Sequence, residues 1–191
     1  MLELYLIRHP ETLGGVDMIK GHNDIGLKRG WKTSVDALAA ELAKQGPFDA
    51  FFSSDLQRTR LPADRIVNYL ALQQSQPLAL QPLQELRERN LGIFQGRKYG
   101  EVDTGGKSLV DYVFEVEGIP GGESKSKVIE RARRFAEGHL QKYTNGEGKV
   151  GLVGHGWWIN YLINVLLGDH SRPYNRMQNL EMVHLSVGGL K

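Results

Sequence analysis

Short apolar runs alternate along this chain with longer segments in which apolar residues recur every three or four positions. The short runs predict strands at residues 2–7, 48–54, 78–81, 149–155 and 182–187. The periodic segments predict helices at residues 28–45, from about Pro62 onwards, at 107–116, from Ser124 onwards and at 157–168. Because strands and helices alternate, we expect an α/β fold, a three-layer α/β/α sandwich with a mainly parallel central sheet.

A proline decides where the helix after the second strand is expected to begin. Ser54 to Gln57 have the form of a capping box. A proline inside a helix removes a hydrogen bond, and the ring of Pro62 would clash with the carbonyl of Arg58. We therefore expect the regular helix to begin close to Pro62, with Arg58 near its N-terminus.

The helix that follows Ser124 has an apolar face at helical spacing, and Ser124 is its expected N-cap. The face consists of Val128, Ala132, Phe135, His139 and Tyr143. Upstream of this helix, residues 85–106 are rich in glycine and are expected to be mostly loop. The length suits a single domain, residues 1–191, in which residues 85–120 form a small lid-like insertion.

Composition narrows the classes of partner. Lys and Arg number 24 and Asp and Glu 22, so the net charge of +2 gives no general attraction to nucleic acid or membrane. There is no cysteine, which excludes disulfides and thiolate nucleophiles or metal ligands. The apolar run from Leu4 to Ile7 is too short for a signal peptide, and no stretch could span a bilayer, so we expect a cytoplasmic protein.

Arginine and histidine side chains follow three of the apolar strands. Arg8 and His9 end the first strand, Arg58 comes shortly after the second, and His155 ends the strand at 149–155. The carboxyl ends of parallel strands form the ligand-binding edge of a sheet, so these side chains are expected to meet there. Guanidinium groups bind phosphate oxygens and stay charged, and a neutral imidazole can attack phosphorus. The pattern indicates a site for a phosphoryl group.

Each of these residues taken alone has a more ordinary interpretation. A single histidine at a strand end most often faces solvent or makes a hydrogen bond, and Arg58 alone is most often a surface arginine. His155 is less ordinary, because Gly154 and Gly156 on either side permit close approach of the backbone. Their shared position after strands is what favours the phosphate site.

Six segments of the chain carry a family resemblance. They are LIRHPET, GHNDIGLKRGW, SSDLQRTR, LRERNLGIFQG, PGGES and LVGHGWWI. In this order they resemble the motifs of the histidine phosphatase superfamily, in its phosphoglycerate mutase-like branch, and the resemblance covers nearly the whole chain. The pattern is most similar to that of small phosphatases such as α-ribazole phosphatase.

The resemblance implies a role for each residue at the strand ends. His9 would be the nucleophile that accepts the phosphoryl group as phosphohistidine. Arg8, Arg58 and the catalytic His155 would bind the phosphate oxygens and stabilise charge in the transition state. No metal or other cofactor is expected, and the six histidines show no metal-binding spacing such as HExxH.

The resemblance also implies an acid and further contacts. Glu88, which aligns with the acidic residue of the family's LRE segment, would protonate the leaving oxygen and later deprotonate water, and Glu85 is the competing candidate. Gly156 would contribute its backbone N–H to the phosphate. Contacts with the rest of the substrate are expected from four loop residues, Lys20, Gly21, His22 and Asn23. The simpler interpretation of these four is that they are solvated loop residues.

Departures from the family pattern favour a phosphatase over a mutase. Pro10 stands where the family usually has glycine, which deletes a backbone donor but keeps a carbonyl that could orient His9. Gly15 replaces the expected phosphate-contacting Asn, and Lys20 falls near the Thr of the mutases. Mutases carry a long insertion over the substrate, whereas only residues 97–120 fill that gap here, so water is expected to reach the phosphoenzyme.

The expected function is therefore that of a phosphomonoesterase that hydrolyses a small phosphorylated metabolite through phosphohistidine. Two alternatives stay open, a phosphoglycerate mutase and a catalytically weak, phosphate-binding regulatory module. A nucleotide-binding Rossmann protein finds little support, because GEGKV is not a P-loop and no GxGxxG follows the first strand. The expected partner is the substrate, without nucleic acid or membrane, and strand 182–187 could provide an edge for a homodimer.

Overall fold

A five-stranded sheet forms the centre of the computed structural model, which describes residues 1–188. The strands are β1 (Leu2–Arg8), β2 (Ala50–Ser54), β3 (Leu80–Leu83), β4 (Lys149–Gly154) and β5 (Met182–Val187), in the spatial order β3-β2-β4-β1-β5. All pairs are parallel except that of β5 with β1. The mainly parallel sheet is confirmed. Strand β5 lies at an edge of the sheet, and dimerisation through it stays a prediction.

Five helices cover the two faces of the sheet. They are α1 (Trp31–Ala43), α2 (Gln57–Ala71), α3 (Leu109–Glu115), α4 (Lys125–Phe135) and α5 (Gly156–Leu167). Successive strand residues point to opposite faces, so Leu6 packs in the layer with α3, α4 and α5, and Ile7 in the layer with α1 and α2. This arrangement confirms the α/β/α sandwich. None of the described helices has the length and apolar character that crossing a membrane requires.

The strand register brings the carboxyl ends of β1, β2 and β4 to one edge. Arg8 pairs with Gly154 across β1 and β4, and Ser53 pairs with Val153 across β2 and β4. Residues that follow these pairs therefore leave the sheet side by side. The predicted convergence of the three strand ends follows from this register.

Helix α2 begins at Gln57, so the predicted start near Pro62 is wrong. Its first turn closes before the proline, since the N–H of Arg60 donates to the carbonyl of Leu56 at 2.9 Å. Pro62 therefore removes only the one bond that the carbonyl of Arg58 would accept. Arg58 lies in the first turn, near the N-terminus as expected.

The predicted capping box does not form at this helix. The N-cap residue is Leu56, without a side-chain hydrogen bond, and its N–H donates to Ser54 Oγ at 3.3 Å. A loop residue satisfies the first turn instead, because Asp24 Oδ1 accepts the N–H of Gln57 at 2.8 Å. A capping pattern that considers only neighbouring residues cannot predict a contact between residues this far apart in sequence.

The predicted cap of α4 is confirmed, and its predicted length is not. Ser124 is the N-cap, and its hydroxyl accepts the N–H of Lys127 at 3.2 Å. The regular α-helix ends at Phe135, and the chain then forms a π-helical turn followed by a 3₁₀ turn. His139 and Tyr143 lie in those turns, where His139 still stacks on Phe135 with ring centroids 5.4 Å apart.

The segment 85–120 is packed into the main core. Its buried apolar residues share one cluster with α4 and α5, namely Leu86, Leu91, Phe94, Val102, Leu109, Val113, Phe114 and Ile119. The segment closes on itself at Gly92, where φ is +46° and a Cβ atom would lie 2.1 Å from the carbonyl oxygen of Pro120. A lid role for this segment stays a prediction, and the last three residues of the predicted domain 1–191 lie outside the described residues.

Candidate active site

Two histidines face each other at the carboxyl edge of the sheet. His9 follows β1 and His155 follows β4, and their ring centroids lie 5.4 Å apart with the planes inclined at 65°. Both are buried, with 5% of His9 and 0% of His155 exposed. The sheet thus brings together the two histidines that the strand pattern singles out.

Pro10 fixes the tautomer of His9. Nδ1 of His9 lies 2.6 Å from the carbonyl oxygen of Pro10, and because a carbonyl only accepts, Nδ1 carries the proton and Nε2 keeps its lone pair. Burial, with the charges of Arg58 and Arg8, lowers the pKa of His9 well below 6.5. His9 is therefore neutral at neutral pH, with an unprotonated Nε2.

Arg58 is held in place by the loop of residues 20–23. Its Nη2 donates to the carbonyl of Gly21 at 2.6 Å and its Nη1 to the carbonyl of Asn23 at 2.7 Å. The residue is 1% exposed, and its Nε has no hydrogen-bond partner within residues 1–188. Burial lowers the pKa of Arg58 to about 10, so the guanidinium stays charged at neutral pH.

Further unpaired nitrogen atoms lie at the same edge. In the described part of the chain, Nε of Arg8 and both ring nitrogens of His155 are buried without a hydrogen-bond partner. Nη1 of Arg8 donates to the carbonyl of Met177. Burial, followed by the charge of Arg58, lowers the pKa of His155 well below 6.5. A concentration of unpaired guanidinium and imidazole nitrogens suits the oxygens of a phosphate.

Gly156 is the first residue of α5 and lies against this set. A Cβ atom at Gly156 would be 3.0 Å from the hydroxyl of Tyr174 and 3.6 Å from Nε of Arg8. The N–H groups in the first turn of a helix point along its axis and favour negative charge. Glycine therefore leaves room for an anion to approach the first N–H of α5.

Glu88 lies at the N-terminus of the same helix. Its carboxylate accepts backbone hydrogen bonds from Trp157 at 3.2 Å, from Trp158 at 2.9 Å and from Arg89 at 3.0 Å. Burial raises the pKa of Glu88, although these three N–H groups favour the charged form. The carboxyl group thus holds a proton more readily than it would in water, which is what a general acid requires.

The backbone of Glu88 is fixed from two sides. Its carbonyl accepts from Nε2 of His22 at 2.7 Å and from Nη2 of Arg131 at 3.3 Å. Glu85, the competing candidate, lies elsewhere, with its Oε1 2.9 Å from Nε2 of His139. Of the two carboxylates, only Glu88 lines a pocket with Arg8 and Gly156.

The four predicted substrate contacts lie in one loop whose polar atoms largely bind the protein itself. Nζ of Lys20 donates to the carbonyls of Gly15 at 2.5 Å and Met18 at 3.0 Å, and burial lowers the pKa of Lys20 to about 8. The carbonyls of Gly21 and Asn23 accept from Arg58. The imidazole of His22 donates to the carbonyl of Glu88. Direct contact with a substrate stays a prediction for all four.

A pocket that contains Arg8, the neighbour of His9, and Gly156, the neighbour of His155, is also lined by residues that the sequence patterns do not single out; His9, Arg58 and His155 themselves are not among its lining residues. Besides Arg8, Glu88 and Gly156, its lining includes Val16, Tyr99, Val110, Trp157, Tyr174, Arg176, Gln178 and Asn179. Residues 169–181 form neither helix nor strand, so no hydrophobic period marks them. Among them, Asn179 supports the backbone of the site, because its Nδ2 donates to the carbonyl of His9 at 2.8 Å.

The donor set suits an anion. Within residues 1–188, no three or more His, Asp or Glu side chains are grouped as ligands for a metal ion. The site offers guanidinium, imidazole and backbone N–H groups, which donate hydrogen bonds to oxygen anions.

Comparison with known proteins also indicates a phosphatase or mutase. The sequence model of the histidine phosphatase superfamily (branch 1) matches residues 4–190. A probable phosphoglycerate mutase of Erwinia tasmaniensis is 30% identical over 192 residues, which cover 98% of this chain and 83% of that protein. A mycobacterial glucosyl-3-phosphoglycerate phosphatase, solved with VO3, is 26% identical with a TM-score of 0.80, covering 96% of this chain and 90% of that one.

A second solved structure supports the fold alone. Bacillus stearothermophilus YhfR has a TM-score of 0.77 at 22% identity, covering 100% of this chain and 93% of that one.

The paired histidines at the sheet edge and the match over nearly the whole sequence agree on a phosphatase or mutase site. The chain belongs to the histidine phosphatase superfamily, branch 1.

Proposed function

We propose that this protein is a phosphomonoesterase that hydrolyses a small phosphorylated metabolite through a phosphohistidine. The observation that carries the proposal is the state of His9. It is a buried imidazole whose Nδ1 donates to the carbonyl of Pro10 and whose ring faces that of His155, and burial with the charges of Arg58 and Arg8 lowers its pKa and keeps it neutral. This arrangement supports nucleophilic attack by Nε2 on a phosphate whose oxygens are bound by guanidinium and imidazole N–H groups.

The first step transfers the phosphoryl group to the enzyme. Nε2 of His9 forms a bond to phosphorus while the bond from phosphorus to the leaving alcohol breaks. Arg8, Arg58 and His155 bind the non-bridging oxygens, where negative charge is concentrated. Glu88 gives its proton to the leaving oxygen, so that an alcohol departs rather than an alkoxide.

The second step returns the enzyme to its starting state. A water molecule attacks phosphorus, and the carboxylate of Glu88 takes one of its protons. The bond from phosphorus to Nε2 of His9 breaks, inorganic phosphate leaves, and His9 is again a neutral imidazole. The N–H of Gly156 stabilises a phosphate oxygen in both steps.

Two features support hydrolysis over transfer back to a substrate. Only residues 97–120 separate the Glu88 segment from the segment before α4, which is short for a cover that keeps water away. Gly15 also lacks the side chain with which the mutase pattern contacts phosphate. The named relatives divide on this point, since one is called a probable mutase and the other a phosphatase.

Incubation with 3-phosphoglycerate, followed by phosphorus NMR, tests the choice directly. Release of inorganic phosphate supports the proposal, whereas formation of 2-phosphoglycerate identifies a mutase. Labelling by a phosphate donor should be acid-labile, alkali-stable and absent in His9→Ala. Absence of both labelling and turnover over a broad panel of phosphate esters would instead identify a phosphate-binding regulatory module.

A further inference from the structure

We infer that Arg176 is a specificity-determining residue that selects phosphate esters carrying a second anionic group. The inference rests on the proposed function, because it concerns the part of the substrate that lies outside the phosphate site. It starts from the pocket that continues from Arg8 and Glu88 to the segment before β5.

The direction of this pocket relates Arg176 to the leaving group. Glu88 and Gly156 are buried and Arg8 is half-buried, whereas Arg176 and Gln178 are exposed, so we infer that the first three form its inner end and the last two its rim. If Arg8 binds the phosphate and Glu88 protonates the leaving oxygen, the alcohol attached to that oxygen extends towards the rim. Arg176 then faces the far end of the substrate.

The charge of Arg176 is not neutralised by the protein. Within residues 1–188 its side chain forms no ion pair, unlike Arg87 and Arg131, which pair with Asp55 and Glu123. The pocket lining therefore carries two guanidinium groups and a single carboxyl group. Its surplus of positive charge favours an anion beyond the phosphate itself.

Aromatic side chains line the path between the phosphate site and the rim. The ring centroid of Tyr174 lies 6.2 Å from that of Trp157 and 5.4 Å from that of Phe114, so the tyrosine is packed on both sides. Burial raises the pKa of Tyr174 and of Tyr99, and both tyrosines line the same pocket as Arg176.

The indole N–H of Trp157 is already used, since Nε1 donates to the carbonyl of Val110 at 3.2 Å. The indole N–H of Trp157 is therefore not free for a ligand, whereas Arg176 is an exposed, charged residue of the same lining. A short phosphorylated acid, with carboxylate or second phosphate at the end opposite the ester, matches this order of groups.

Competitive inhibition of p-nitrophenyl phosphate hydrolysis measures the selection. 3-Phosphoglycerate and glycerol 3-phosphate share a carbon chain and differ in one carboxylate, and fructose 1,6-bisphosphate and fructose 6-phosphate differ in one phosphate. We expect the ligand with the second anion to bind about tenfold more tightly in at least one pair, a ratio that falls with added salt. The pair that shows the ratio distinguishes a carboxylate from a phosphate.

Arg176→Gln should bring the ratio close to one, and Arg176→Lys should retain part of it. Arg172→Gln is the matched control, because Arg172 is an exposed arginine of the same segment that does not line the pocket. Equal affinities within both pairs in the wild type, or a ratio that survives in Arg176→Gln, would overturn the inference.

The proposed function can fail separately. If neither p-nitrophenyl phosphate nor any ester of the broad panel is hydrolysed, the phosphatase proposal is wrong, and the same four ligands are then measured by calorimetry. The calorimetric ratio in His9→Ala, which cannot form the phosphohistidine, decides the role of Arg176 by the same criteria. Unchanged melting temperatures confirm that the Arg176 variants are folded.

Discussion

Replacement of Glu88 by glutamine separates proton donation from phosphate binding. The side chain keeps its shape and one oxygen, but it loses the proton that the mechanism gives to the leaving oxygen. It also turns an NH₂ group towards one of the three backbone N–H groups that now donate to the carboxylate, those of Arg89, Trp157 and Trp158. The substitution therefore has a chemical and a structural effect, which are measured differently.

The chemical effect depends on the leaving group. A positioned general acid contributes about 10²- to 10⁴-fold in rate, or about 3–5 kcal/mol, when the leaving group needs the proton. An alkoxide needs it and p-nitrophenolate does not. Glu88→Gln should therefore slow phosphoenzyme formation about 10²- to 10⁴-fold with an alkyl phosphate and less than about tenfold with p-nitrophenyl phosphate.

The structural effect is smaller and common to both substrates. One unsatisfied backbone N–H at the buried end of α5 costs about 1–3 kcal/mol, which lowers the melting temperature. Single-turnover measurements of phosphoenzyme formation isolate the first step from the later attack of water. Equal slowing with both substrates would refute the acid role of Glu88. Glu85→Gln is the matched control, and both rates should be retained because Glu85 pairs with His139 instead.

The remaining predictions concern phosphate binding, pH and metals. Arg58→Lys should lower kcat/KM about 10²-fold or more, because lysine lacks the fork that binds two loop carbonyls and, in the proposed mechanism, a phosphate, while the exposed Arg60→Lys should have no effect. Gly156→Ala should raise KM for phosphate esters without lowering the melting temperature, since its methyl group would come within 3.0 Å of a tyrosine hydroxyl at the site. On the acid side of the pH profile, kcat/KM should fall only below pH 6.5, where His9 becomes protonated, because its pKa is lowered from 6.5. On the alkaline side, kcat/KM should fall as Glu88 loses its proton, at a pH above 4.5 because its pKa is raised from that value, and this fall should disappear in Glu88→Gln. Because the folded state lowers the pKa of both site histidines, the unfolded chain binds more protons in acid, so the free energy of unfolding should decrease as pH falls through 6.5. Activity should persist in EDTA and be inhibited by vanadate; loss in EDTA that added metal restores would contradict the mechanism.

Strand ends were the most informative feature of the sequence. A parallel sheet delivers the residues after its strands to one edge, so Arg8, His9 and His155 could be placed together without knowledge of any side-chain contact. Arg58 follows the same logic through the first turn of α2. Its partners do not, because the carbonyls that hold it belong to a loop whose path no periodic pattern describes.

Contacts between distant segments account for what the sequence could not predict. The start of α2 depends on Asp24, which replaces the local cap. Arg176 lies in a segment without helix or strand, so neither hydrophobic period nor strand register indicates that it lines the pocket. The choice between Glu88 and Glu85 also depends on contacts, since each carboxylate is defined by the groups that surround it rather than by its place in the chain.

The first turn of α5 joins the two halves of the proposed chemistry. Trp157 and Trp158 donate to Glu88, and Ile159 donates to the carbonyl of His155 at 2.9 Å. The N–H of Gly156 is the group that the proposed mechanism assigns to the phosphate. A shift of α5 would therefore disturb the acid and the phosphate site together. This explains why the segment that carries Glu88 is packed into the main core on α5: a freely moving flap could not keep the carboxyl group at a fixed distance from the leaving oxygen.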